Sequence, residues 1–175
     1  MYYRRAQAPG GTFFFTVNLL DRKSDLLVRE IKVLRQSFRW VRERHPFTIV
    51  AMVVMPDHLH AIWQLPEGDG DYAMRWGLIK AAFSRALPRV NETIGSSRHA
   101  KRERGIWQRR YWEHQIRDEE DLMRHVDYIH YNPIKHGYVS HATDWLFSSI
   151  HRAVERGDVT ADLGGLSEID GVFGE

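Results

Sequence analysis

Two short stretches of this chain hold residue types that could do chemistry together. His58 and His60 stand two apart in Met55-Pro56-Asp57-His58-Leu59-His60. Along a strand, side chains alternate faces, so both imidazoles would project from one surface as half of a divalent metal site. The same spacing also suits two strand histidines that simply hydrogen-bond to neighbours. Asp57 reads first as the cap of the turn after Pro56, and second as an acceptor that would orient an imidazole.

The other stretch is His125-Val126-Asp127-Tyr128-Ile129-His130-Tyr131-Asn132-Pro133. On a helix, Tyr128 and Asn132 are i and i+4, hence neighbours on one face. That spacing suits a phenol attacking a metal-bound phosphate, with an amide oxygen one turn away as a third ligand. The bland option for Tyr128 is a half-buried core aromatic. The residue before a proline avoids the α region, so Asn132 is expected in the helix's last turn, with the helix ending near Tyr131. Tyr131 competes as nucleophile, but its i+4 residue is Lys135. His125 shares the Tyr128 face and could meet a phosphate or carry no role, whereas His130 reads as structural.

A free phenol has a pKa of about 10 and needs activation at neutral pH. Mg2+ or Mn2+ would neutralise the scissile phosphate and orient it for in-line attack. A phosphotyrosine bond conserves the phosphodiester energy, so a strand end can be rejoined without ATP. Hydrolysis by a metal-activated water would lose that option and would need no tyrosine.

The charge distribution fits a nucleic-acid partner. Net charge is only +2 over 175 residues. From Glu155 onward, however, six acids stand against Arg156 alone. Between residues 98 and 110, Arg98, Lys101, Arg102, Arg104, Arg109 and Arg110 stand against Glu103 alone, beside Trp107, Tyr111 and Trp112. Cations for phosphates and flat rings for unstacked bases are what single strands favour. A solvated basic loop is the alternative. There is no cysteine, which excludes disulfides and thiolate chemistry. No apolar run approaches the roughly 18 residues of a membrane span, and the N-terminus has no apolar signal core. A soluble cytoplasmic protein is therefore expected.

The elements that must position these residues follow from periodicity. Residues 12–19 read as a buried strand. Leu26, Leu27, Ile31, Leu34, Phe38 and Val41 recur at helical spacing, with Ser24 or Asp25 as N-cap and Pro46 as stop. Residues 47–55 and 58–65 read as strands, 66–71 as a loop, and 72–87 as a helix ended by Pro88. A basic insert at 89–104 is expected to be mobile without ligand. Residues 106–117 read as a fourth strand or an extended edge, and Asp118-Glu119-Glu120-Asp121 has the acidic bias of a helix start. The order is that of an α+β, ferredoxin-like sandwich: a central antiparallel sheet with helices on one face and the other free to carry a site. The division expected is a catalytic domain over 1–152 and a loosely packed acidic tail over 153–175.

Taken together, Met55 to His60, Trp107-Gln108-Arg109-Arg110-Tyr111-Trp112-Glu113-His114, and His125 through Asn132-Pro133-Ile134-Lys135-His136-Gly137 resemble the REP-associated tyrosine transposases. These are domesticated relatives of the IS200/IS605 transposases within the HUH single-strand endonucleases. The resemblance runs from Gly10-Gly11 to about Arg152. It implies that His58 and His60 are the HUH metal ligands, with Asn132 where relatives place a third polar ligand. It implies that Tyr128 becomes joined to a DNA 5′-phosphate, leaving a free 3′-hydroxyl. The implied substrate is a folded hairpin from bacterial repetitive extragenic palindromes, with a short single-stranded flank. Candidate DNA contacts are Arg4, Arg5, Lys101, Arg102, Arg104, Trp107, Gln108, Arg109, Arg110, Trp112, His114 and Lys135. The IS200/IS605 enzymes work as dimers that exchange tyrosine helices, whereas domesticated relatives look like single-subunit enzymes, so a monomer on the nucleoid is expected, with a dimer as the alternative.

Two other readings use the same residues differently. A ferredoxin-like RNA-recognition module would stack bases on Phe13, Phe15 and Trp63 and leave the histidines idle. A metal hydrolase would cut through water and ignore Tyr128.

Overall fold

The computed structural model describes residues 9–89 and 103–160. Arg4, Arg5, Lys101 and Arg102, most of the basic insert, and the tail beyond 160 lie outside the described residues. Four strands, β1 (Thr12–Asn18), β2 (Thr48–Val54), β3 (His58–Gln64) and β4 (Trp112–Gln115), form one sheet in the order β2-β3-β1-β4. Every pairing is antiparallel, which is the expected ferredoxin-like arrangement. Thr16 lies opposite His60 and Asn18 opposite His58.

The sheet has two apolar faces. Phe13, Phe15, Val17, Leu59, Ala61 and Trp63 face one side and are buried against α2 (Ile31–Arg44) and α3 (Tyr72–Ala86). The alternation expected for the His pair therefore holds, with Leu59 and Ala61 pointing into this core. Phe13, Phe15 and Trp63 are 0% exposed, so they offer no platform for bases. The other face carries Phe14, Val53 and Ile62 and is covered by Tyr128 and Ile129 of α4 (Glu119–Lys135). The sheet face expected to carry a site thus bears the histidines with the tyrosine helix laid across it.

Two local expectations are corrected, the unbroken first helix and the end of α4. The first helical segment breaks at Glu30 into α1 (Leu26–Arg29) and α2. Residues 106–117 contribute only four residues of ladder, with Trp107 making an isolated bridge to Leu19. α4 does not stop at Tyr131 but continues through Pro133 to Lys135. Proline costs the helix one hydrogen bond and crowds the preceding turn. The end is nevertheless secured: Gly137 adopts φ +72°, its N–H reaches Ile134 O at 2.8 Å, and Tyr138 N–H reaches Pro133 O at 3.0 Å. This double closure is the glycine C-cap of a helix. Finally, α5 (Ile150–Arg156) runs across the expected boundary at residue 152 and packs through Ile150. Among the described residues, no helix is long and apolar enough to cross a membrane.

Candidate active site

β3 presents His58 and His60 on the α4 face, with ring centroids 5.0 Å apart. They are 2% and 0% exposed. Each Nδ1 is taken. His58 Nδ1 lies 2.8 Å from Asp57 Oδ1, and His60 Nδ1 lies 2.9 Å from Thr16 Oγ1. A carboxylate can only accept, so His58 donates to Asp57 through Nδ1 and turns Nε2 into the site. That Nε2 is buried with no hydrogen-bond partner among the described residues. Across the sheet, Oδ1 of Asn18 is likewise buried without one. Buried polar atoms left in this way are uncommon in folded proteins and mark a place for an ion or water.

α4 brings the nucleophile candidate to the pair. The Tyr128 ring lies 5.1 Å from His60, and the His136 ring lies 5.3 Å from His58. Tyr128, Asn132 and His136 are spaced one helical turn apart on one face. Asn132 is 0% exposed and lies between Tyr128 and His136 on that helix face. Tyr131 is only half-buried. The donor set of two imidazoles and an amide oxygen, with orienting partners behind the imidazoles, fits a divalent cation.

The sequence pattern assigns Asp57 first to a turn. The structure instead makes it the partner of His58 and of Arg22, whose Nε lies 2.5 Å from Oδ2. Thr16, Asn18, Arg22 and His136 were not read as site residues at all. The strand alternation of Phe14, Thr16 and Asn18 was the available signal for two of them, and the i+8 spacing from Tyr128 for His136. Arg22 had none.

A second group of possible ligands, His114, Asp121 and His125, has its ligand atoms within 4.8 Å of one another. It reads as a structural hub. Asp121 is 1% exposed and accepts from His114 Nε2 at 2.8 Å and from Arg117 N at 3.0 Å. His125 Nδ1 donates to the Asp121 carbonyl at 2.7 Å. His125, 6% exposed, therefore serves the helix rather than a phosphate. His130 is structural as expected: burial pushes its imidazole down to about 4, and Nε2 lies 3.1 Å from Ser149 Oγ.

With this geometry in hand, comparison with known proteins is specific. Residues 16–132 match the family described as Transposase IS200 like. An Escherichia coli K12 REP-associated tyrosine transposase is 46% identical over 93% of this chain and 90% of its own length. A Haemophilus influenzae Rd protein given the same name provisionally is also 46% identical, over 93% of each chain. The chain belongs to the REP-associated tyrosine transposases of the IS200-like family. A solved structure of such a transposase bound to a REP hairpin superposes with a TM-score of 0.83 at 43% identity, covering 100% of this chain and 97% of the other.

Within this transposase fold the candidate DNA contacts divide sharply. Arg109 and Arg110 are exposed, the former paired with Glu103 at 2.9 Å. Gln108 is half-buried, and Trp112 stacks on His114 with ring centroids 5.8 Å apart. His114 is only partly exposed, with its Nε2 engaged by Asp121. Trp107 is corrected: it is 7% exposed and belongs to the α2/α3 core, its ring 5.4 Å from Phe83. Arg104 is also corrected. Its guanidinium donates to Ser84 O, and at 2.8 Å to Leu87 O and Pro88 O, closing the C-terminal end of α3. Helix ends leave carbonyls that need such donors. Lys135 lies against Tyr128.

Proposed function

We propose that this transposase-family chain nicks and rejoins single-stranded REP-type hairpin DNA through a covalent 5′-phosphotyrosine at Tyr128. His58, His60 and Asn132 hold Mg2+ or Mn2+. The observation carrying this reading is the junction of β3 and α4, where a nearly buried tyrosine packs on His60 beside a buried, unpartnered Nε2 of His58. A bound divalent ion would supply charge neutralisation for the phosphate. Asp57 and Thr16 orient the two imidazole rings through their Nδ1 atoms, while α4 holds the phenol in place. Attack forms the Tyr128 oxygen–phosphorus bond and releases the 3′-hydroxyl, and the reverse restores the strand.

DNA is recruited by the exposed cations Arg109 and Arg110, with Arg4, Arg5, Lys101 and Arg102 as further phosphate contacts, and Gln108, Trp112 and His114 beside the single strand. All the residues assigned to the chemistry fall within 1–152. The enzyme works as a monomer in the cytoplasm on chromosomal repeats.

Tyr128→Phe separates the readings. With a labelled hairpin oligonucleotide and Mn2+, the wild type should form a protease-sensitive protein–DNA adduct, and the variant should form neither adduct nor nick. Cleavage retained in Tyr128→Phe would establish a water-dependent hydrolase instead. Metal-independent binding by a wild type that never cleaves would establish a binding module.

A further inference from the structure

Lys135, the last residue of α4, lies seven residues after Tyr128 and therefore on the same helix face. Its Nζ is 3.3 Å from the Tyr128 hydroxyl and 4.9 Å from the centroid of the ring. Tyr128 is 1% exposed while Lys135 is exposed, so the ammonium reaches the buried phenol oxygen from the solvent end of the helix. The sequence pattern places this lysine among the candidate DNA contacts. We propose instead that Lys135 is a catalytic residue, whose ammonium holds the Tyr128 oxygen while that oxygen gains and loses its bond to phosphorus. The proposal rests on the phosphotyrosine reading above.

In nicking, the Tyr128 oxygen bonds to phosphorus, the bond from phosphorus to the 3′ oxygen breaks, and the phenol proton ends on that 3′ oxygen. In rejoining, a 3′ hydroxyl oxygen bonds to phosphorus, the phosphorus–Tyr128 bond breaks, and the proton returns to the phenol oxygen. Both directions pass through a state with negative charge developing on the same oxygen. A charged donor at hydrogen-bond distance in a water-poor setting stabilises such charge far more than it would in bulk water. Lys135 donates a hydrogen bond and transfers no proton in this scheme, so protons balance between the phenol and the sugar hydroxyl alone. The contact with the ring face adds a second attraction that persists when the hydroxyl is esterified.

The test compares Lys135→Met and Lys135→Arg with the wild type, using the full chain, a REP-type hairpin oligonucleotide and Mn2+. Affinity is measured across a salt series, and adduct formation and rejoining are timed in single turnovers at saturating DNA. Lys135→Met should slow both chemical steps by on the order of 10²-fold, the usual effect of removing one transition-state donor. Affinity and its salt dependence should stay unchanged, with Lys135→Arg recovering part of the rate. A fluorinated, more acidic tyrosine at position 128 should shrink the Lys135→Met defect, because a better-stabilised phenolate needs the ammonium less. The proposal is overturned if Lys135→Met keeps the wild-type rate at saturating DNA while the salt slope falls by about one, as for a phosphate clamp. A defect indifferent to the fluorinated tyrosine overturns it equally. If the wild type itself forms no adduct, the phosphotyrosine reading has failed, and that shows before any lysine variant is compared.

Discussion

The Nδ1 of His58 and the Oδ1 of Asp57 lie 2.8 Å apart, and this hydrogen bond decides which imidazole nitrogen faces the site. Burial alone would raise the Asp57 carboxyl, but hydrogen bonds from His58 and Arg22 outweigh it and hold the group at about 2. The carboxylate is thus a fixed acceptor behind the ring. Asp57→Ala should weaken Mn2+ binding by about 10- to 100-fold, the usual effect of removing an orienting partner. Asp57→Asn, which keeps an acceptor oxygen, should lose less. Metal titration followed by calorimetry checks both, and unchanged affinity in Asp57→Ala would sink the orienting role.

Thr16 does for His60 what Asp57 does for His58, through its 2.9 Å contact with Nδ1. Thr16→Val keeps the side-chain volume but strips the hydroxyl, leaving a buried ring nitrogen unsatisfied at a cost of about 1–3 kcal/mol. A lower melting temperature together with weaker Mn2+ binding is expected, and Thr16→Ser should restore both. Loss of stability with intact metal affinity would show that Thr16 serves only the sheet.

Periodicity made the central residues legible. A two-residue spacing on a strand put His58 and His60 on one face, and a four-residue spacing on a helix put Asn132 with Tyr128. The local rule for Pro133 alone does not locate the end of α4, because the Gly137 cap four residues later carries the helix past it. Tertiary packing lets a helix tolerate one proline when the cap beyond it is good, as Gly137 and Tyr138 provide here. Arg104 and Trp107 were misassigned for a different reason. Composition marks them as nucleic-acid residues, and only three-dimensional proximity reveals the carbonyls and the core that claim them.

Trp107 provides a direct check on that correction. With its ring packed near Phe83 in the α2/α3 core, Trp107→Ala should destabilise the fold by about 3–5 kcal/mol, as large-to-small core changes do. The folded protein should bind hairpin DNA with unchanged affinity at low temperature. A stable variant with selectively weakened binding would return Trp107 to the DNA.

The hub at Asp121 predicts how the protein fails in acid. Burial would raise this carboxyl, but hydrogen bonds from His114 and from the backbone and side chain of Arg117 outweigh it and hold it well below the ordinary range. An unfolded aspartate titrates near ~3.9, so over the interval between the two values the unfolded chain binds the extra proton. Its stabilisation is therefore complete above about pH 5 and drains away as pH falls through 4 toward the folded value. Asp121→Asn should cost about 1–3 kcal/mol at neutral pH, because the donors of His114 and Arg117 lose their charged acceptor. It should also flatten the acid limb of the melting-temperature profile between about pH 5 and pH 3, where the wild type declines steeply. Because Asp121 anchors His125, one turn before Tyr128, adduct formation should fall along with stability in the variant. Melting curves that decline in parallel for variant and wild type over this interval would show that other carboxylates, and not Asp121, govern the acid transition.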